Sequence, residues 1–132
     1  MHKPFLRTGA ILVAVAVILG AFGAHSIKEK VTAEVLAIFE TGVRYQAYHG
    51  LALILTGIIY MQFKSKLILL AGWLFRAGCI LFSGSLYLLC YQKYIGKTNL
   101  SVLGIITPLG GAAFIAGWIF LVIAVSRNKY TD

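Results

Sequence analysis

The sequence predicts an all-α integral membrane protein, a four-helix bundle with a short interfacial amphipathic helix between the first two spans. Two observations lead to this fold class. Hydrophobic residues make up 60% of the 132 residues and charged residues only 12%, whereas about a quarter of a typical soluble domain is charged. The charged residues also cluster between four long apolar runs. A chain this short cannot bury so much apolar surface within itself, so lipid must cover the rest.

The four apolar runs are long enough to cross a membrane, since a spanning helix needs about 20 mostly apolar residues. The first, second and fourth runs contain no charged residue, and the third contains only Arg76. Unbroken runs such as ILVAVAVIL lack the alternation of a membrane β-barrel. We take residues 1–132 as a single transmembrane domain with spans at about 8–24, 46–63, 67–91 and 102–125.

The first run has two interpretations. Basic residues precede it and Ala21-Phe22-Gly23 follows near its end, a pattern that also fits a cleaved signal peptide. We expect an uncleaved first span.

The connections differ in kind. Between spans one and two, apolar residues recur at helical spacing, which predicts a short amphipathic helix on the interface; they are Val31, Val35, Ile38 and Phe39. The basic turn FKSK joins spans two and three as an antiparallel hairpin, and Gly96 and Asn99 form the last turn.

The cationic residues indicate the orientation. Four spans put both termini and the 64–66 turn on one side, called side A, and the other two connections on side B. Side A has six cationic residues: Lys3, Arg7, Lys64, Lys66, Arg127 and Lys129. Side B has five: Lys28, Lys30, Arg44, Lys93 and Lys97. The positive-inside rule then predicts a multi-pass plasma membrane protein with cytoplasmic termini.

These cations also account for the net charge of +8. They flank the spans, where they bind lipid phosphates. No compact basic patch with interleaved aromatics remains, so we expect the lipid bilayer and no nucleic acid as a partner.

Polar and small residues converge on the side-B half of the predicted bundle, because each span brings its irregular stretch to that end. These stretches are LGAFGAH, RYQAYH, LFSGSLY and IITPLGG. The candidate polar cluster is His25, Tyr45, Gln46, His49, Ser83, Ser85, Tyr87 and Thr107.

The cluster has two main interpretations. It is either a hydrogen-bond network that fixes helix packing or a pocket for a small polar molecule or lipid headgroup. Two histidines are too few for a typical zinc site, which has three or four ligands. A serine nucleophile assisted by His49 and Glu40 lacks a local motif. We expect no cofactor, although a haem or enzyme role for His25 and His49 is a third alternative.

Small residues predict the sites of close helix packing. Small-xxx-small spacing, which lets helices approach closely in lipid, occurs at Ala16–Gly20–Ala24, Ala112–Ala116 and Ala113–Gly117. Gly84, between two serines, should admit another backbone. Either Pro108 kinks span four or Thr107 caps a helix that starts at Pro108. The predicted packing and kink positions are Gly20, Gly23, Gly84, Pro108, Gly110, Gly111 and Gly117.

Arg76 is a charge within a span, about 15 Å from side A. Such a residue is by default a functional candidate, and none of the four acidic residues lies at its depth. Thr56 and Trp118 are candidate partners. The alternative is that the side chain snorkels to side A.

Four motifs together, LGAFGAH, TGVRYQAYHGLAL, LFSGSLYLL and TPLGGAAFIAGW, resemble the domain-of-unknown-function family 423, the transmembrane protein 256-like small membrane proteins. The resemblance implies a four-helix integral membrane protein, and it implies no established activity. Arg76 lies outside these motifs.

The function that we predict is a non-enzymatic structural or assembly component that associates with itself or with another membrane protein. The alternative is transporter-like or receptor-like binding of a small polar molecule or lipid headgroup at the polar cluster.

Overall fold

The computed structural model describes residues 2–97 and 101–127, so the side-A residue Lys129 lies outside the described residues. Within these ranges the chain forms four long helices: α1 (Lys3–Ile27), α2 (Ala33–Gln62), α3 (Lys66–Tyr94) and α4 (Ser101–Arg127). The last five residues of α1, Gly23–Ile27, widen into a π-helical turn, and α3 contains a π-helical segment at Cys79–Ser83. The prediction of an all-α membrane bundle is confirmed.

The helix starts follow ordinary capping rules. A proline lies in the first turn of α1, where its missing N–H is not needed. The Thr32 hydroxyl accepts from the Val35 N–H at 3.3 Å and begins α2, and the Ser65 hydroxyl accepts from the Leu67 N–H at 3.2 Å and begins α3. Residues 63–65 form a short connection between α2 and α3, in agreement with the predicted hairpin.

Helices α1, α3 and α4 are each long and apolar enough to cross a membrane. Helix α2 combines two predicted elements, because the expected amphipathic helix and the expected second span are one continuous helix of 30 residues. The prediction of a separate short helix is therefore wrong. No proline interrupts the junction, and Gly42 stays helical against the Tyr87 ring. At about 45 Å, α2 exceeds the roughly 30 Å hydrocarbon layer and can extend beyond it.

Helix α2 packs against α1 and α3, and α3 packs against α4. The most buried side chains of the core include Phe5, Leu53, Ile68 and Phe75. Large apolar side chains remain exposed on the outer faces, where Val17 is 68% and Ile80 72% exposed. An exposed apolar exterior over a packed interior is what a bilayer-embedded bundle requires.

Several of the predicted packing glycines lie where helices approach most closely. A β-carbon at Gly110 would clash with the backbone of Phe82, and one at Gly117 would lie 2.7 Å from the Phe75 ring. At Gly23 it would lie 2.8 Å from the Phe39 ring. Gly20 and Gly111 have only ordinary contacts, with nearest distances of 3.6 and 3.8 Å.

Two sequence predictions about packing need correction. A β-carbon at Gly84 would meet no atom within 4 Å, because this glycine faces outward, so it does not admit another backbone. Pro108 lies inside α4, which begins seven residues earlier at Ser101. Thr107 is therefore not the N-cap of a helix that starts at Pro108; its hydroxyl instead donates to the Leu103 carbonyl at 3.0 Å.

Candidate functional site

Gln46 links three helices. It lies on the buried face of α2, where its Nε2 donates to the Leu12 carbonyl of α1 at 2.9 Å. Its Oε1 accepts from the Tyr87 hydroxyl of α3 at 2.8 Å. A primary amide can donate and accept at once, so one side chain holds α1, α2 and α3 together.

Two serines connect α3 to its neighbours. The Ser83 hydroxyl, which is 1% exposed, donates to the Gly42 carbonyl of α2 at 2.7 Å. The Ser85 and Thr107 hydroxyls lie 2.6 Å apart and join α3 to α4. The Ser85 hydroxyl is also 2.9 Å from the Phe82 carbonyl of its own helix. Each serine therefore has a partner on another helix, as buried hydroxyls in lipid require.

His49 connects α2 to α4. Its Nδ1 lies 2.8 Å from the Tyr45 carbonyl, and its Nε2 lies 3.2 Å from Trp118 Nε1. An indole nitrogen only donates, so Nε2 must be the acceptor and Nδ1 must carry the proton. The ring also stacks on Phe114, with centroids 3.4 Å apart and planes 10° apart. This arrangement fits the neutral Nδ1–H tautomer, because imidazolium would place two N–H groups against each other.

The structure does not bring the whole predicted cluster together. His25 is exposed on the π-helical turn of α1 and makes none of the network's hydrogen bonds within the described residues, so its assignment to the cluster is wrong. The buried residue of this turn is Gly23, which faces the Phe39 ring, and His25 lies on the exposed side of the turn. Tyr45 is 38% exposed and packs its ring on Phe82, 4.7 Å between centroids. It contributes its carbonyl to His49 rather than its hydroxyl.

The polar groups also do not share one height. Gly42, Gln46 and His49 follow one another along α2, and the rise from Gly42 to His49 is about 10 Å. The partner of His49, Trp118, lies past the midpoint of α4 towards side A. The expected confinement to the side-B half is therefore wrong for His49, because the network continues through the middle of the bundle.

Arg76 does not use the partners expected from the sequence. Its guanidinium lies over the Trp73 ring of its own helix, 4.6 Å from the centroid. Trp118 is bonded to His49, and the Thr56 hydroxyl donates to the Ala52 carbonyl within α2 at 2.7 Å. A three-residue spacing puts Trp73 on the same helix face, one turn nearer side A.

The Arg76 charge also affects the pKa of His2, which lies at side A. Burial, and secondly the Arg76 charge, lower the pKa of His2 below its ordinary value of 6.5. His2 lies at the side-A start of the chain, where its N–H donates to the Gly57 carbonyl at 3.1 Å. The contact of the guanidinium with the Trp73 ring, one turn nearer side A, favours the snorkelling interpretation of Arg76.

The arrangement does not form a nucleophile–base pair. The Ser83 and Ser85 hydroxyls bond to carbonyls and to Thr107, and in residues 2–97 and 101–127 neither bonds to His49. Covalent catalysis by serine needs that coupling. Among the same residues no three His, Cys, Asp or Glu side chains gather as metal ligands do.

Two crevices lie at the side-B end, beside the network. The first, of about 270 Å³, lies between the end of α1 and the end of α3 and is lined mostly by apolar side chains, including Phe22, Phe39 and Tyr91. The second, of about 370 Å³, adjoins it and is lined by Lys30, Lys93 and Glu29 among others. Of the predicted cluster, only Tyr87 lines either crevice.

Two kinds of group in the hydrogen-bond network are not identified from the sequence. The carbonyls of Leu12 and Gly42 are acceptors for Gln46 and Ser83, and a backbone carbonyl leaves no signal in the residue type. Trp118 is expected from the sequence only as a partner of Arg76. Trp118 is 43% exposed, and its position one turn after the buried Phe114 is the available indication that it could reach α2.

Comparison with known proteins gives a consistent family. The family model described as "Protein of unknown function (DUF423)" matches residues 19–111. A UPF0382 membrane protein of Staphylococcus aureus is 47% identical over 125 residues, covering 95% of this chain and 97% of that protein. The UPF0382 membrane protein YwdK of Bacillus subtilis is 45% identical, covering 95% and 98%. A third, from Staphylococcus haemolyticus, is 43% identical, covering 95% and 97%. No solved structure matches significantly.

Proposed function

The chain belongs to the DUF423 family of membrane proteins, and from this premise we propose that it is a non-enzymatic structural or assembly component of the plasma membrane. The observation that carries the proposal is the use of the polar side chains. Gln46, Ser83, Ser85, Tyr87 and Thr107 all take part in hydrogen bonds between helices, as does His49. Their polar atoms hold the bundle together, and of these residues only Tyr87 lines either of the two crevices described above.

The size of these interactions supports a structural role. Among residues 2–97 and 101–127, five side-chain hydrogen bonds join different helices, and together they connect all four. Each such bond within a membrane contributes about 0.6–2 kcal/mol. Lipid provides no hydrophobic force between helices, so five bonds of this size are enough to select one packing arrangement.

An outward face of α4 supports assembly with a second membrane protein or a second copy. A β-carbon at Gly104 would meet open space, and Ala112 is exposed two turns further along. The small residues that pack within the bundle, such as Ala16 and Gly117, are buried. Exposed small residues on a lipid-facing helix allow close approach of another helix.

The experiment compares the purified protein with two variants, Gln46→Leu and Ser83→Leu, in detergent. Thermal unfolding is measured alone and with a library of lipids and metabolites. A structural role predicts that both variants unfold at lower temperature whatever is added. A compound that raises the midpoint of the natural sequence, with the increase lost in Ser83→Leu, would instead support a binding function.

The assembly part of the proposal is tested by a second experiment, which measures the number of protein copies per detergent particle. Gly104→Leu fills open space on the outer face of α4, so the fold should persist while the number of copies per particle falls, as measured by light scattering in detergent. Ile105→Leu, on the adjacent exposed position, is the matched control. A monomeric natural sequence that captures no partner would contradict the assembly component of the proposal.

A further inference from the structure

The apolar crevice at side B has a defined shape and lining. The π-helical end of α1, the 28–32 connection and the last turns of α3 surround it, with Phe22, Ile27, Phe39 and Cys90 in its walls. Its volume of about 270 Å³ is below the roughly 300–1,000 Å³ of pockets that enclose a drug-sized ligand. It therefore suits one slender apolar chain better than a compact molecule.

The rim of the crevice is cationic. Lys30 lines both this crevice and the adjoining polar one, and Lys93 lines the polar one. Glu29 also lines the polar crevice, so the three charged groups that line the two crevices leave one net positive charge. An apolar slot with Lys30 in its lining and Lys93 in the adjoining crevice complements a molecule with an apolar tail and an anionic head.

The crevice also lies at the depth of lipid headgroups. The connection that closes it follows α1, which is long and apolar enough to cross a membrane, and Tyr91 and Tyr94 at the edge of the crevice are 59% and 54% exposed. Tyrosines of membrane proteins concentrate at this level, with the ring towards the hydrocarbon and the hydroxyl towards water.

We infer that this crevice binds an anionic phospholipid, with one acyl chain between α1 and α3 and the phosphate at Lys30 and Lys93. Tyr87 of the hydrogen-bond network also lines this crevice, but the inference does not depend on the structural role proposed above. The shared chemistry, a phosphate near two lysines, would also attract free phosphate, but only a lipid uses the apolar walls.

The test measures lipid binding to the intact protein by native mass spectrometry from a neutral detergent. Phosphatidylglycerol and phosphatidylcholine with identical chains are titrated separately. We expect phosphatidylglycerol to bind at least tenfold more tightly, since each lysine near the surface attracts an anionic lipid by about a factor of five. Lys30→Gln with Lys93→Gln should remove this preference.

Three further arms make the result specific. Lys28→Gln with Lys97→Gln removes the same charge from side B without altering the crevice lining, and it should leave the preference within twofold. Glu29→Gln should strengthen phosphatidylglycerol binding, because it removes the one acid of the lining. Ser26→Phe narrows the apolar crevice and should weaken binding of both lipids.

Several results would overturn the inference. One is equal binding of the two lipids, and another is an equal loss in the two double-lysine variants, which would indicate general surface attraction. Competition by inorganic phosphate or glycerol phosphate at concentrations similar to those of the lipid would show that the acyl chain contributes nothing. Because the lysine variants are surface substitutions, a thermal unfolding midpoint close to that of the natural sequence shows that they are folded.

Discussion

At the residue scale, Gly110 and Gly84 differ sharply although both are helical. A β-carbon at Gly110 would overlap the backbone of Phe82, which cannot rotate away, whereas Gly84 faces open space. Both glycines lie in motifs that predict close packing. The distinction depends on which way each helix face points, which is set by the partner helix rather than by local sequence.

Gly110→Ala should destabilise the protein by about 1–3 kcal/mol, because overpacking a helix contact forces the backbones apart. Gly84→Ala should be neutral or stabilising by up to about 1 kcal/mol, since alanine is the better helix former. Unfolding in detergent by increasing denaturant measures both. Equal destabilisation in the two variants would contradict the assigned contacts.

His49 gives a prediction about its tautomer. Since Trp118 donates to Nε2 and the Tyr45 carbonyl faces Nδ1, nitrogen-15 NMR of selectively labelled histidine should show the Nδ1–H form. Trp118→Phe keeps an aromatic ring but removes the donor, and this tautomer preference should weaken. An Nε2–H signal in the natural sequence would be incompatible with the Trp118 hydrogen bond.

His2 gives a prediction about pH. Burial and the Arg76 charge lower its pKa below 6.5 in the folded protein, so the unfolded chain takes up a proton at a higher pH than the folded chain. The contribution of His2 to the free energy of unfolding should therefore be fully present above pH 6.5. It should decrease as the pH falls through and below this value. His2→Gln should flatten this part of the stability profile, and an unchanged slope would contradict the assignment.

At the element scale, α2 is the organising helix, since its side chains or carbonyls accept or donate hydrogen bonds to α1, α3 and α4. The sequence indicated the all-α class from length and charge alone, and α1, α3 and α4 are long and apolar enough to be three of the predicted spans. It also indicated most of the network, because Gln46, His49, Ser83 and Ser85 are polar residues in apolar runs. It did not indicate that the amphipathic segment continues into the second span, because periodicity changes there without a helix-breaking residue.

Two threonines allow a matched test of hydrogen bonds between helices. The Thr107 hydroxyl bonds to Ser85 of another helix, whereas the Thr56 hydroxyl bonds only to the Ala52 carbonyl of its own helix. Thr107→Val should therefore cost about 0.6–2 kcal/mol more than Thr56→Val. A double-mutant cycle with Ser85→Ala isolates the pair, and a coupling energy near zero would remove this bond from the network.

At the scale of the whole molecule, the charged residues and the packing both bear on orientation. The start of α1 lies beside the end of α2, where the His2 N–H meets the Gly57 carbonyl, so both belong to side A. The described cations outside the spans divide evenly between the two sides. Arg76 adds to side A, because its guanidinium lies over the Trp73 ring, one turn nearer that side. From the positive-inside rule we therefore predict a cytoplasmic side A.

Labelling of one introduced cysteine tests this orientation without altering any charge. Gln62→Cys places a thiol at the exposed end of α2 on side A, and Ile95→Cys places one after α3 on side B. The natural Cys79 and Cys90 are buried and give the background. With a membrane-impermeant maleimide, Ile95→Cys should react in intact cells and Gln62→Cys only after permeabilisation. The opposite pattern would place side A outside the cell.

Reaction of both variants from one side would mean that α3 does not cross the membrane, and the predicted four-span topology would then be wrong.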